Sequence, residues 1–322
     1  MPKLKIGLYW AAACGGCDVS VLDLHEKILK VAEAADILFW PIALDFKEKD
    51  VEAMPDGHMD VCFFNGAVRN SENEHMAKLL RKKSKVLVAF GSCSYLGGVP
   101  GLANFYQRED VLRTVYCGSP STPNEKKTIP QEKTTEKVGE LKIPAFYAQV
   151  KTLAQVVPVE YFLPGCPPAV EQVWAAVEAI VTGKLPKPPA VVGASDKALC
   201  DECPRKKGEK KIKQFRSVAD TIPDPEICLL EQGIICCGPA TRAGCGYRCI
   251  KANMPCRGCY GPTPGVIDQG AKMLSAVASV IDSSDPDEVE KIVAGIPDPA
   301  GTFYRFSLPD SLLRGVRVEE AK

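Results

Sequence analysis

The chain carries fifteen cysteines against three histidines. Thiolates are soft donors suited to zinc or to iron–sulfur clusters. Their spacing sorts them into groups. Cys14-Gly15-Gly16-Cys17 is a C-x-x-C pair, Cys93 stands in Gly91-Ser92-Cys93-Ser94, and Cys166 stands in Pro164-Gly165-Cys166-Pro167-Pro168. Nine more fall between Cys200 and Cys259. Cys200-x2-Cys203-x24-Cys228-x7-Cys236 makes one set of four, and Cys245-x3-Cys249-x6-Cys256-x2-Cys259 makes another; Cys237 is left beside Cys236. Cys62, between Val61 and Phe63-Phe64, reads as a core hydrophobe. Cys117, at the edge of a polar stretch, reads as a bystander.

The first half must position the first group. Ile6–Trp10, Ile37–Leu44, Asp60–Val68, Lys85–Phe90 and Val157–Leu163 read as strands. Helical spacing runs from Val21 to Ala32, a helix capped by Ser71 runs to Leu80, and another covers Ala169–Val181. Strands alternating with helices predict an α/β doubly wound, flavodoxin-like parallel sheet. Cys14, Cys17, Cys93 and Cys166 then all follow carboxyl ends of strands, which share one edge of such a sheet. Four thiols converging there can hold zinc or a 4Fe–4S cube, with neighbouring glycines letting backbone N–H groups approach. Asp18 reads as a cap of the helix that begins there, with help to proton movement as the sharper alternative.

Residues 117–140 are polar and read as a surface insertion. Gly183-Lys184-Leu185-Pro186-Lys187-Pro188-Pro189 reads as a stiff linker. The division expected from it is a flavodoxin-like domain over 1–185 and a cysteine-rich, loop-rich domain over 186–322. From 200 to 265 the apolar pattern is weak, so that segment calls for metal rather than a core to hold it. A zinc reading survives for either downstream tetrad alone. Three zincs, however, give no reason for a shared strand-end edge. The two-cluster ferredoxin run C-x2-C-x2-C-x3-C-P is absent.

Forty basic residues balance forty acidic ones, 46% of residues are hydrophobic and 25% are charged. This balance argues against a nucleic-acid or membrane-surface binder. No apolar run reaches a membrane span, and the N-terminus shows no export signal, so a cytoplasmic address is expected. A reducing compartment argues in turn against disulfides. Arg205-Lys206-Lys207 with Lys210, Lys211 and Lys213 reads as a solvated basic face, with docking of an acidic electron-transfer partner as the sharper alternative.

Together these motifs resemble the small subunit of nickel–iron hydrogenases over nearly the whole chain. The resemblance rests on the C-G-G-C pair, on Gly91-Ser92-Cys93-Ser94-Tyr95-Leu96-Gly97-Gly98, and on Pro164-Gly165-Cys166-Pro167-Pro168. It extends through Cys228-Leu229-Leu230-Glu231-Gln232-Gly233, Cys236-Cys237-Gly238-Pro239-Ala240-Thr241 and Pro255-Cys256-Arg257-Gly258-Cys259. It implies three 4Fe–4S clusters: a proximal one on Cys14, Cys17, Cys93 and Cys166, a distal one on Cys200, Cys203, Cys228 and Cys236, and a medial one on Cys245, Cys249, Cys256 and Cys259.

Three departures refine the placement. Cys200 stands where uptake enzymes have histidine. The segment after Cys228 is two residues longer, which sets Cys236 against the adjacent Cys237. Cys249 stands where relatives with a 3Fe–4S centre have proline. The pattern is similar to the cytoplasmic methyl-viologen-reducing, deazaflavin-non-reducing type. Such a chain has no catalytic residue of its own; it transfers electrons from a nickel-bearing large subunit to an iron–sulfur delta-type subunit and heterodisulfide reductase, in the setting of methanogenesis. The alternatives are a deazaflavin-reducing or sensory hydrogenase, or a non-hydrogenase iron–sulfur electron-transfer protein. The quinone-reductase subunit shares the sheet domain but has adjacent cluster cysteines and no cysteine-rich tail.

Overall fold

A computed structural model describes residues 3–209 and 211–313. Its strands are β1 (Leu4–Trp10), β2 (Ala35–Phe39), β3 (Met59–Asn65), β4 (Val68–Asn70), β5 (Ser84–Phe90), β6 (Lys133–Glu136), β7 (Gly139–Lys142), β8 (Phe146–Lys151), β9 (Tyr161–Leu163) and β10 (Ala190–Val191). Six of them form one sheet in the order β10-β9-β5-β3-β1-β2, and every pairing in it is parallel. Counting only these strands, the order runs 2-1-3-4-5-6, the flavodoxin arrangement with one added edge strand.

The apolar runs of β1, β3 and β5 are what a sheet covered on both faces requires. Alternate residues feed opposite layers. Val61 and Phe63 join Ile6, Leu8, Val88 and Phe90 under the helix Val170–Val181. Cys62 and Phe64 join Tyr9, Leu87 and Ala89 under the helix Ser71–Lys83. Cys62 is fully buried, as its neighbours imply.

Several local readings shift. The first helical stretch divides into Gly16–Leu22 and Lys27–Ala34, broken where His25 takes a positive φ. The second strand spans only Ala35–Phe39, and Trp40 begins a turn. Asn70 rather than Ser71 caps the next helix, its side chain accepting from the Asn73 N–H; Ser71 Oγ accepts instead from the Ala145 N–H. The polar insertion contains the exposed hairpin β6–β7.

The downstream half does have an apolar core. Leu199, Ile212, Phe215, Leu230, Met273, Val277, Phe303 and Leu308 pack together, with Cys237 and Cys256 among them. Its members come from short helices and loops spread along about a hundred residues, so no periodicity advertises them. The two halves are clamped together. The Gly98 N–H bonds the Phe306 carbonyl, Gln155 Nε2 bonds the Pro309 carbonyl, and Pro309 lies where a Cβ on Gly97 or Gly101 would sit.

Candidate metal centres

The first group of thiols gathers at the carboxyl edge of the sheet. Cys14 follows β1, Cys17 lies in the helix Gly16–Leu22, Cys93 lies in the helix Ser92–Leu96 after β5, and Cys166 follows β9. Backbone bonds fix these loops to one another: Gly91 N–H to the Leu163 carbonyl and Ser92 N–H to the Gly165 carbonyl, both at 2.8 Å. Burial, reinforced by the neighbouring thiols Cys166 and Cys14, pushes Cys93 up to about 12. Burial and then Cys93 and Cys166 raise Cys17 still further. Thiolates at Cys17, Cys93 and Cys166 are therefore disfavoured here unless a cation core balances them.

Glycine makes room for these sulfurs. Gly91 and Gly98 hold positive φ, and a Cβ on either would come within 2.3 Å of Cys17 Sγ and 2.5 Å of Cys93 Sγ respectively. Asp18 is not a cap, since Gly15 takes that place. It is 2% exposed and accepts from Trp40 Nε1 at 2.9 Å and Asn65 Nδ2 at 2.6 Å, tying the first helix to the ends of β2 and β3.

In the second half Cys200, Cys203, Cys228 and Cys236 line one small cavity with Leu199, Leu230, Pro239 and Ile250. Burial pushes Cys236 up to about 11, partly offset by bonds from the Gly238 and Cys256 N–H groups, with Cys228 and Cys203 raising it again. Cys237 faces elsewhere: it is buried in the apolar core, and its Sγ lies 4.0 Å from the Thr302 carbonyl oxygen.

Cys245, Cys249, Cys256 and Cys259 line a second, larger cavity, which Cys166, Tyr260 and Arg257 also reach. Burial raises Cys259 strongly, followed by repulsion from Cys166, Cys249 and Cys245. Cys256 is raised in the same way, chiefly by burial and then by Cys236 and Cys237.

The three groups touch in series. Ser92 Oγ lies 2.8 Å from the Gly165 carbonyl oxygen and 2.5 Å from that of Cys259. The Cys256 N–H donates to Cys236 Sγ at 3.3 Å, and the Cys237 N–H to the Cys256 carbonyl at 2.9 Å.

A tetrahedral zinc with 2.3 Å arms would hold its sulfurs about 3.8 Å apart. Among the described residues no three thiols have their sulfurs all within 4.8 Å of one another; the one group that meets this limit is Glu48, Glu52 and His75. That exposed trio is explained by the His75–Glu48 ion pair at 2.7 Å. No three described thiols are therefore drawn together as tightly as a tetrahedral zinc would hold them.

Residues 14–180 match the family described as NADH ubiquinone oxidoreductase, 20 Kd subunit. The chain is 40% identical over 316 residues to the iron-sulfur subunit of the F420-non-reducing hydrogenase of Archaeoglobus profundus, covering 96% of this chain and 98% of that one. It is 38% identical over 316 residues to the corresponding subunit of the F420-non-reducing hydrogenase of Methanothermobacter thermautotrophicus, covering 97% and 96%. This chain belongs to the nickel–iron hydrogenase small-subunit family. F420 is a deazaflavin, so these relatives agree with the resemblance read from the motifs. The nickel–iron site of such an enzyme lies in its large subunit. The fold is also that of the [NiFeSe] hydrogenase from Desulfovibrio vulgaris Hildenborough, at a TM-score of 0.50 and 15% identity over 82% of this chain and 95% of that one.

Sequence reasoning overlooked three things. The first is the anchoring role of Asp18. The second is the Ser92 bridge, for which Gly-Ser-Cys was the available signal. The third is Arg205, read as part of a solvated face but 5% exposed and lining the cavity of Cys200 and Cys228; nothing in a basic run distinguishes a buried arginine from an exposed one. Of the lysines of that face, Lys206, Lys211 and Lys213 are exposed and paired with Glu226, Glu209 and Asp282, while Lys207 lines the cavity beside Arg205 and donates to the Cys200 carbonyl. Lys210 lies outside the described residues.

Proposed function

We propose that this subunit conducts electrons, one at a time, between a hydrogenase large subunit and a redox partner through three 4Fe–4S clusters. The proximal one would be held by Cys14, Cys17, Cys93 and Cys166, the medial by Cys245, Cys249, Cys256 and Cys259, and the distal by Cys200, Cys203, Cys228 and Cys236. The observation that carries this reading is the serial contact of three thiol tetrads, joined through Ser92 at Cys259 on one side and by the Cys256 N–H to Cys236 Sγ bond on the other. When bound, such clusters accept and release single electrons at potentials set by their surroundings.

The chain's own part is to hold the tetrads adjacent, to exclude water around buried thiols, and to give each end a different surface. At the proximal end Cys14 and Cys166 are exposed, and Trp10 at the end of β1 and Val19 and Leu22 on the first helix expose apolar side chains. We assign that face to the large subunit, in an interface burying more than about 2,000 Å². At the distal end an iron–sulfur delta-type subunit would dock and pass electrons to heterodisulfide reductase, which would place the chain in methanogenesis. Among the described residues no helix is long and apolar enough to cross a membrane. A cytoplasmic, reducing compartment suits a chain whose fifteen cysteines form no disulfide among the described residues. The division into domains over 1–185 and 186–322 belongs to the same proposal; β10 pairs back onto β9 from beyond that boundary.

Anaerobic iron, acid-labile sulfide and zinc analysis tests the reading. It expects about twelve iron and twelve sulfide per chain and no stoichiometric zinc. Four or eight iron per chain, or zinc in whole-number ratio, would overturn it.

A further inference from the structure

Arg205 is buried beside the tetrad Cys200, Cys203, Cys228 and Cys236. Its guanidinium meets only neutral groups. One Nη donates to the carbonyls of Asp224 at 2.7 Å and Ile227 at 2.8 Å, the other to Asn253 Oδ1 at 2.5 Å. Its Nε is buried with no hydrogen-bond partner. Among the described residues no carboxylate stands within ion-pair distance of it, although Lys206, Lys211 and Lys213 each have one; Lys207, which also lines the cavity, is more exposed and donates to the Cys200 carbonyl. A buried cation without a counter-charge is strongly disfavoured, and a guanidinium stays charged. The remaining source of negative charge around this cavity is the thiolates and whatever core they hold. A fully cysteine-ligated cube is anionic and gains one more negative charge on reduction.

We propose that Arg205 is the fixed counter-charge of the distal tetrad, stabilising the reduced form of its cluster and setting its midpoint potential above that of an otherwise identical site. The proposal rests on the reading that this tetrad holds an iron–sulfur cluster. It makes Arg205 a positioning and tuning residue with no chemistry of its own. At a close, desolvated approach one charge shifts such an equilibrium by about tenfold or more, and tenfold is 59 mV for a one-electron couple.

The test uses the subunit in its complex with the large subunit, poised at a series of potentials and followed by electron paramagnetic resonance. The distal signal is identified as the one lost in Cys228→Ser. Arg205→Gln keeps amide donors and removes the charge; it should lower the distal midpoint by about 59 mV or more. Arg205→Lys should keep the midpoint close to the parent value. Asn253→Asp leaves the arginine in place and sets a carboxylate against it, and it too should lower the midpoint. Because Arg205→Gln removes three bonds, its cluster content is measured in parallel. If it fails to load, the Asn253→Asp result decides.

An unchanged distal midpoint in loaded Arg205→Gln, or in Asn253→Asp, overturns the proposal and leaves the cluster assignment standing. A purely structural arginine predicts that pattern, with lost occupancy in Arg205→Gln and Arg205→Lys alike. Absence of any signal dependent on Cys228 in the parent complex overturns both readings.

Discussion

Gly91→Ala should remove the proximal cluster without unfolding the chain. Gly91 has φ +84°, a region that side chains enter at about 1–3 kcal/mol. A Cβ there would also stand 2.3 Å from Cys17 Sγ, where ordinary contact begins at 3.4 Å, so the sulfur must retreat by about 1 Å. Metal–ligand bonds tolerate about 0.2 Å, so Cys17 would be lost as a ligand. Gly183→Ala is the control: it has φ +66° but nothing within 4 Å of the new Cβ, so it suffers backbone strain alone. The assay is iron and sulfide per chain beside thermal unfolding. Gly183→Ala should keep full iron and lose about 1–2 kcal/mol. Gly91→Ala should lose a comparable or somewhat larger amount and about a third of its iron. Full iron in Gly91→Ala would refute the placement of Cys17 as a ligand beneath Gly91.

Cys249→Pro should convert the medial centre to a 3Fe–4S type and raise its potential, seen as a new paramagnetic signal in the oxidised protein; Cys249 is second in the helix Arg248–Lys251, where proline is tolerated, and an unchanged spectrum would show that it is not a ligand. Asp18→Ala leaves the buried donors of Trp40 and Asn65 unpaired and should cost about 3 kcal/mol in denaturant unfolding, whereas a cap role on a short exposed turn predicts about 1 kcal/mol or less. Burial pushes the Cys62 thiol up to about 12, against the lowering effects of Ser84 and Arg81. Its folded value lies above its unfolded one, so its contribution is complete below about pH 9 and is lost as pH rises toward 12. By about pH 11 the parent should have lost about 2–3 kcal/mol relative to Cys62→Ala, compared with about pH 8, and parallel profiles would contradict this.

Much of the sheet was legible because β1, β3 and β5 are buried on both faces and read as unbroken apolar runs. Their carboxyl ends could then be placed together from topology alone, which put Cys14, Cys93 and Cys166 at one edge. The loops of the second half gave no such signal. Its core is assembled from Ile212, Met273 and Phe303, too far apart in sequence for any period to show, so only the cysteine spacing spoke there. That spacing favoured Cys236 but set the adjacent Cys237 against it. What separates them is side-chain direction, one sulfur lining the cavity with Cys228 and the other packed in the apolar core. Asp18 and Arg205 were misread for a related reason. Burial of a charged side chain depends on partners distant in sequence: Asn65 for the first, and Asp224 and Asn253 for the second.

The central claim is that this chain conducts electrons without taking part in splitting hydrogen, and Cys203→Ser in the complex with the large subunit tests it most directly. Hydrogen–deuterium exchange at the partner's active site and hydrogen-dependent dye reduction are measured on the same preparation, with iron counted to verify loss of the distal cluster alone. The account predicts exchange close to the parent rate and dye reduction lower by about tenfold or more. Dye reduction at the parent rate with the distal cluster gone, or exchange that falls in step with it, would contradict the account.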